Sequence, residues 1–461
     1  MITFNGYDNV IDNVYKNNQE HVFEYWNELA DDEKKSLLDE LADVDFELMM
    51  RLFEQRSNKE EKFEYGPSPY IPLPETKSEK EKYDNAREMG KKYISTGKTA
   101  ALLVAGGQGT RLGFDGPKGM FPVGPVSNKS LFRIHAEKIL MSSKKYNISI
   151  PWLIMTSKSN HKDTVNYFSE NGNFGINKND ILFFTQAMIP SLDNNGNLIL
   201  ETKYGLFMNP DGHGGTLTAL AGSGLLNELK QRGIETISYF QVDNPLVNII
   251  DPVFTGFHIQ NGSDVSSKAV MKTGPDEKVG VFVQYENKRT GIIEYSDMSQ
   301  DKKEAVDANG RLIFGMGNIA VHLFKTEYID SITSGRHISL PYHTAHKRIE
   351  ALRNNIVKEI EGLKYEKFIF DALSFTEKNT ILETIRNEEF APVKNAEGVD
   401  SPYSAKKLMS DLHRKWLLDK GIALPDITET IEISPLLAAD PDDLPPNLNL
   451  PSKEKIYLHN I

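Results

Sequence analysis

Leu102-Leu103-Val104-Ala105-Gly106-Gly107-Gln108-Gly109-Thr110-Arg111-Leu112-Gly113, followed shortly by Gly116-Pro117-Lys118-Gly119, decides how this chain is read. An apolar run enters a loop in which four of the eight residues from Gly106 to Gly113 are glycine. Glycine removes the Cβ barrier, so backbone N–H groups can turn inward and approach an anion closely. Arg111 and Lys118 bring fixed positive charge to the same place, and the arginine fork can grip phosphate oxygens bidentately. The stretch therefore predicts a strand feeding a phosphate cradle on an α/β sheet, with Gly106, Gly107, Gly109 and Thr110 in the cradle. Two look-alikes fail on spacing. A dinucleotide fingerprint begun at Gly107 would need glycine at position 112, which is Leu112. A P-loop ending in Gly97-Lys98-Thr99 would need its first glycine at Lys92, and Gly90 lies two residues early.

Composition bounds the rest. The 461 residues suffice for two or three domains, with 39% hydrophobic and 26% charged residues, as in a water-soluble globular protein. Lys and Arg number 53 against 65 Asp and Glu, a net charge of −12, which argues against a nucleic-acid surface. An acidic protein that handles phosphates must concentrate a few cations in one place. With no cysteine, disulfides, thiolate metal sites and cysteine nucleophiles are excluded. Residues Met1–Asn18 lack the apolar core of a signal peptide and no stretch is long enough to span a membrane, so the expected location is the cytoplasm.

From about Glu20 to Gln55 the chain reads as helices, with Asp31-Asp32 as N-cap and Val22, Phe23, Tyr25, Trp26 and Leu29 as a core stripe. Gly66 to Lys82, with Pro67, Pro69, Pro72 and Pro74, reads as a linker. From Thr99 strands (Ala100–Val104, Trp152–Thr156, Ile181–Gln186, Thr236–Val242, Ala269–Lys272) alternate with helices such as Leu131–Met141 and Thr216–Leu229. Buried apolar strands alternating with helices imply a mostly parallel sheet covered on both faces. The expected division is an N-terminal helical region with linker at 1–96, a catalytic domain at 97–375 and a small C-terminal domain at 376–461.

Other stretches carry chemistry in weaker form. Asp243, in Gln241-Val242-Asp243-Asn244, ends a predicted strand, where open α/β sheets bind ligands, and can hold a hard cation such as Mg²⁺; it can equally cap a turn before Pro245. Asn209-Pro210-Asp211-Gly212-His213-Gly214-Gly215-Thr216 is a second glycine loop that opens a helix, able to serve a base edge or a phosphate. Gln186 offers the amide donors and acceptor that match a uracil edge. Lys364 and Lys394 read as solvated by composition alone, and His343 and His346 could share a helix face but lack further metal ligands.

Together these pieces resemble the eukaryotic-type UDP-sugar pyrophosphorylases, closest to the N-acetylglucosamine group. The resemblance is carried by LVAGGQGTRLG-x-x-x-PKG (103–119), SLFRIHAEKI (130–139), PDGHGG (210–215), QVDN (241–244) and GNIA (317–320). It continues through LKYEKFIFD (363–371), EEFAPVKNA (388–396) and EISPLL (432–437), and FEYWNELADDEKKSLLDEL (23–41) matches the family's helical start. It implies a Rossmann-like nucleotidyltransferase sheet and a reaction in which a sugar 1-phosphate attacks the α-phosphate of UTP. Under it, Arg111 and Lys118 neutralise the leaving pyrophosphate, Gln186 and Gly212 read uracil, and Asp243 ligates Mg²⁺. Gly280, Glu294 and Asn318 match sugar contacts, and Lys364 and Lys394 match lysines that reach the phosphates. His213 also falls at a substrate-binding position. N-acetylglucosamine enzymes usually carry asparagine there, so UDP-glucose or broader UDP-sugar synthesis stays open. The contrasting reading from another class is a nucleotide-sugar-binding protein without turnover.

Overall fold

The structure, a computed structural model, describes residues 1–56, 64–334, 340–446 and 448–459. Residues 57–63, inside the expected N-terminal region, lie outside the described residues. Contacts divide the chain into two units built from discontinuous segments, a grouping that a reading in chain order does not anticipate. One comprises Met1–Lys62, Gln186–Thr216 and Leu340–Ile369; the other comprises Phe63–Thr185, Leu217–Ser339 and Phe370–Ile461.

The larger unit carries a ten-stranded sheet. Its strands are β1 (Tyr65–Pro67), β2 (Thr99–Val104), β3 (Trp152–Thr156), β4 (Ile181–Thr185), β5 (Thr236–Gln241), β6 (Val265–Met271), β7 (Val281–Tyr285), β8 (Thr290–Ile293), β9 (Met316–Lys325) and β10 (Asn379–Glu383). The main path runs β1-β7-β9-β5-β2-β3-β4, with β6 on β9 and β10, and β8 on β7. From β5 to β4 every pairing is parallel, whereas β9 runs antiparallel to β5, β6 and β7. The sheet is therefore mixed: the parallel expectation holds where the glycine loop sits and gives way beyond β5. Ala100, Ala101, Leu102 and Leu103 are all fully buried, as a strand covered on both faces requires.

Local signals explain the helices that cover this sheet. Ser130 caps Leu131–Tyr146 by accepting from the Arg133 N–H (3.2 Å). Asp251 caps Pro252–Gln260, with Pro252 in the first turn. Gly90, read as a misplaced P-loop glycine, instead lets helix Lys77–Ile94 cross Pro252–Gln260 closely. A Cβ on Gly90 would meet the Pro252 carbonyl at 1.8 Å, and one on Gly256 would meet the Ala86 carbonyl at 1.8 Å. The proline-rich stretch is less free than a linker. β1 joins the sheet edge, Ile71 exchanges backbone hydrogen bonds with Ile381 and Glu383, and Thr76 starts the helix at Lys77. The expected helix Thr216–Leu229 is two, Gly215–Gly222 and Leu225–Gln231, broken where Gly224 takes φ +80°. Near the C-terminus, helix Pro402–Asp419 and the parallel pair Thr430–Ile433 and Lys455–Leu458 share their own apolar cluster. Buried Glu432 accepts from the N–H groups of Val126 and Ser127, tying this cluster to the segment after the glycine loop.

The smaller unit contains helices Asp8–Lys16, Asp31–Ala42 and Phe46–Gln55, together with a long hairpin, His343–Arg353 and Ile356–Glu366. Asp8–Lys16 precedes the helices expected from about Glu20. Around Val22–Leu29 the chain forms short 3₁₀ turns rather than an α-helix, although Val22, Phe23, Trp26 and Leu29 are buried as expected. The cap of the second helix is Ala30, one residue before the expected aspartates, its N–H held by Glu33. His343 and His346 lie on a strand, not a helix, and three residues apart they face opposite sides. The core packs Trp26, Leu37, Leu38 and Leu41 with Leu192, Leu198, Leu363 and Tyr365.

Gly256→Ala should force two helix backbones apart. The expected loss is about 1–3 kcal/mol of stability, read as a lower thermal midpoint against wild type.

Candidate active site

In the larger unit, β2 and β5 are adjacent and in register, with Gln241 opposite Val104. Chain order turns back here: β3 and β4 follow β2 on one side, and β5 returns to the other. Ligands of open α/β sheets bind beyond the carboxyl ends of strands at such a reversal. The glycine loop leaves β2 and the Val242-Asp243-Asn244 loop leaves β5, held together by the Val242 N–H on the Val104 carbonyl (3.1 Å). The glycine loop doubles back on itself: the Gly109 N–H donates to Gly116 O (2.9 Å), and the Lys118 N–H to Gly107 O (3.1 Å). Buried Asn160 donates to the carbonyls of Ala105 (2.9 Å) and Gly107 (3.3 Å), fixing the loop from below. This fold-back delivers Lys118 Nζ to the Asp243 carboxylate at 3.3 Å, with side-chain exposures of 17% and 13%. The two residues thus meet although 125 positions separate them in sequence.

The loop glycines divide by role. A Cβ on Gly109 would strike Phe114 at 2.8 Å and one on Gly119 would strike the Phe132 ring at 2.2 Å, so both serve packing. Around Gly107 nothing lies within 4 Å of a Cβ position, which leaves that backbone open to a ligand. Arg111 stands exposed on the 3₁₀ turn Thr110–Leu112 and has no ion-pair partner among the described residues.

Lys394 reaches the same loop through its backbone neighbour, because the Val393 N–H donates to the Asp243 carbonyl (2.9 Å). The Lys394 N–H donates to Asp400 O (2.6 Å), and its Nζ lies 3.9 Å from the Asp400 carboxylate, a loose and half-exposed pair. The lysine lines a cavity of about 360 Å³ with Lys278, Arg386 and Phe390. Gly280, Glu294 and Asn318 also gather. The Asn318 N–H donates to Gly280 O (2.9 Å), and a Cβ on Gly280 would come within 3.0 Å of Glu294 Oε1. Burial, and then nearby Asp297, pushes the Glu294 carboxyl above the usual carboxylate range.

The smaller unit holds the other expected residues. Gln186 Nε2 donates to Gly212 O (2.6 Å) and to Asp211 Oδ1 (3.3 Å), so glutamine and glycine loop form one structure. Gly212, at φ +83°, lies so close to the Lys367 backbone that a Cβ would meet its carbonyl at 2.3 Å. The Gly214 N–H donates to Lys367 O (2.8 Å), and the Lys367 N–H to Asp211 O (2.7 Å). His213 Nδ1 accepts from the Ile369 N–H (3.2 Å), which leaves the proton of the neutral ring on Nε2. Its ring centre lies 5.5 Å from Phe368, which in turn lies 4.7 Å from His343. Burial lowers the His213 pKa to about 4. Lys364 sits half-buried on the hairpin strand Ile356–Glu366.

Two residues here escaped the sequence reading. Asp211 is buried against Gly215, and burial pushes its carboxyl up. Lys367 lies over the Tyr342 ring at 4.4 Å, and burial pulls its ammonium below the ordinary lysine value. Their signal was position alone, one beside Gly212 and the other three residues after Lys364. No cluster of three or more His, Cys, Asp or Glu able to hold a metal occurs among the described residues.

A glycine loop and a cation–carboxylate pair at the carboxyl ends of adjacent parallel strands define a phosphate-handling α/β protein. The chain belongs to the UTP–glucose-1-phosphate uridylyltransferase family, a group of nucleotidyltransferases, which it matches over residues 46–439. It is 35% identical over 443 residues to UDP-N-acetylglucosamine diphosphorylase 2 of Arabidopsis thaliana, covering 91% of this chain and 87% of that protein. It is 35% identical over 431 residues to UDP-N-acetylhexosamine pyrophosphorylase-like protein 1 of Homo sapiens, covering 88% and 85%. Its structure is similar to that of the uridine diphosphate N-acetylglucosamine pyrophosphorylase from Trypanosoma brucei, with TM-score 0.87 and 27% identity, covering 100% of this chain and 99% of the other.

His213 yields a test with a definite sign. Its native pKa lies below the ordinary value of about 6.5, so the unfolded chain binds more protons between those two pH values. The stability contributed by neutral His213 is full above about pH 6.5 and is lost as pH falls towards about 4. In His213→Asn the decline of unfolding free energy over that range should be shallower than in wild type, as measured by urea titration at stepped pH.

Proposed function

We propose that the protein joins UTP and N-acetylglucosamine 1-phosphate to give UDP-N-acetylglucosamine and pyrophosphate. The observation that carries the reading is the Lys118–Asp243 pair beside the open glycine loop, on a chain whose relatives of similar length are UDP-N-acetylglucosamine pyrophosphorylases. The nucleophile, a sugar phosphate oxygen, is already an anion and needs no general base. Catalysis is then alignment and charge cancellation. In this reading the backbone of Gly106, Gly107, Gly109 and Thr110 holds the UTP phosphates, and Arg111 and Lys118 offset charge on the departing pyrophosphate. Gln186 and the Gly212 backbone read the uracil. His213, Gly280, Glu294 and Asn318 bind the sugar, and Lys364 and Lys394 reach its phosphate and the α-phosphate.

A divalent cation fits the donor set in one specific way. Asp243 supplies one carboxylate, with Lys118 as its only partner among the described residues, and no all-protein cage surrounds it. That suits Mg²⁺, which keeps water and takes phosphate oxygens as its remaining ligands. When bound, it would offset phosphate charge. The chemistry is assigned to residues 97–375, with Lys394 contributed by 376–461 and no site residue by 1–96. No described helix is long and apolar enough to cross a membrane. We place the reaction in the cytoplasm, with small-molecule substrates and no nucleic acid.

Initial rates with UTP and N-acetylglucosamine 1-phosphate, glucose 1-phosphate and galactose 1-phosphate should show the first preferred. His213 favours one second reading, UDP-glucose synthesis, and a clear preference for glucose 1-phosphate would establish it. Silence with every sugar phosphate would favour a binding protein without turnover. Lys394→Ala should lower kcat by about 10²–10³-fold while the protein stays folded. Asp243→Ala should abolish metal-dependent turnover, and unchanged rates at saturating Mg²⁺ would remove it as ligand.

A further inference from the structure

Asn244 is 4% exposed and follows the proposed metal ligand. Its Nδ2–H donates to the Glu389 carbonyl (2.8 Å), and its Oδ1 accepts the Ala391 N–H (3.0 Å) and the Leu246 N–H (3.3 Å). An acceptor and a donor on opposite sides of the amide admit only one orientation. Two residues on, the Val393 N–H binds the Asp243 carbonyl (2.9 Å), and Lys394 follows.

Both strips joined by this amide are held elsewhere. Helix Leu131–Tyr146 grips the first: His135 Nε2–H donates to Val242 O (3.0 Å), and Lys138 Nζ donates to the carbonyls of Pro245 (2.6 Å) and Val247 (2.8 Å). Glu389 grips the second, its carboxylate accepting the Asn248 N–H (2.8 Å) and Lys268 Nζ (2.7 Å), while Lys268 also pairs with Asp251 at 2.8 Å. Asn244 links these two braced strips beside the points where Asp243 and Lys394 leave them, while Glu389 links them further along at Asn248.

We propose that Asn244 is a positioning residue that sets where Lys394 stands relative to Asp243, without touching substrate itself. The claim rests on the catalytic reading of Lys394. An aspartate of the same shape keeps the acceptor but sets a second oxygen against the Glu389 carbonyl, so that hydrogen bond is lost.

Asn244→Asp, with Asn244→Ser as the milder variant should the first fail to fold, is compared with wild type alone and in a Lys394→Ala background. Displacing a reacting group by about an ångström can cost on the order of 10²-fold. The single variant is expected to lose about 10- to 100-fold in kcat with N-acetylglucosamine 1-phosphate, with KM for UTP held within about threefold. In the Lys394→Ala background the same change should cost no more than about twofold, because it acts through that lysine. Amide hydrogen exchange of the 389–394 segment should quicken in the single variant while β2 and β5 keep their protection. Unchanged exchange overturns the clamp. Faster exchange with equal kcat losses in both backgrounds overturns the positioning role. A wild-type kcat in Lys394→Ala alone overturns the lysine's assignment and the positioning claim with it, and the exchange result tells that failure from failure of the clamp.

Discussion

The ion pair between Lys118 and Asp243 is the contact on which the chemistry proposed for the larger unit depends. It exists because β2 and β5 are neighbours, so two loops far apart in sequence leave the sheet side by side. A mostly buried ammonium beside a mostly buried carboxylate is a poor source of net stability, since desolvation consumes much of the attraction. In the proposed reaction its value lies in having both charges already in place before phosphate arrives, with little rearrangement left for the ligand to impose. The same adjacency brings the Lys394 segment into reach, because the Asp243 backbone is what Val393 binds.

Around that pair the protein invests in rigidity. Lys268 is fully buried; burial opposes its charge, yet Asp251 and Glu389 together hold its pKa above the usual lysine value. Asp251 also caps helix Pro252–Gln260, and that helix crosses Lys77–Ile94 through the facing glycines Gly90 and Gly256. Removing one member of such a cluster would strand an unpaired charge, which is why these residues act as a unit. In the smaller unit the Gly212 loop is equally constrained, with Gln186 on one side and the Lys367 backbone on the other.

The sequence was most legible where local chemistry decides the outcome. The apolar run of β2, the glycine density after it and the placement of Arg111 and Lys118 each point to a phosphate loop before any contact is known. β3 falls where the apolar pattern put it, helix Leu131–Tyr146 starts at the expected residue but runs past the expected Met141, and β5 ends at Gln241, one residue before the expected Val242. Legibility failed where a local rule met a long-range competitor. Gly224 broke a helix that composition ran through, sheet pairing took up the proline-rich stretch, and His343 and His346 joined a hairpin whose partner strand begins beyond their own segment. Asn244 stood in view as part of a recognisable tetrapeptide, but its partners, Glu389 and Ala391, are more than 140 residues away.

By itself, then, the amino-acid order determined the four strands of the parallel part of the sheet, β2 to β5, where backbone could meet an anion and which cations stood near. Those properties depend on side-chain size, charge and φ freedom over a few residues. Only the tertiary structure decided that β2 lies against β5, that β9 runs antiparallel to its neighbours beyond β5, and that residues 186–216 and 340–369 group with the N-terminal helices. Strand order and register are chosen by hydrogen bonds and packing between distant segments, whose free energy no single stretch of chain contains.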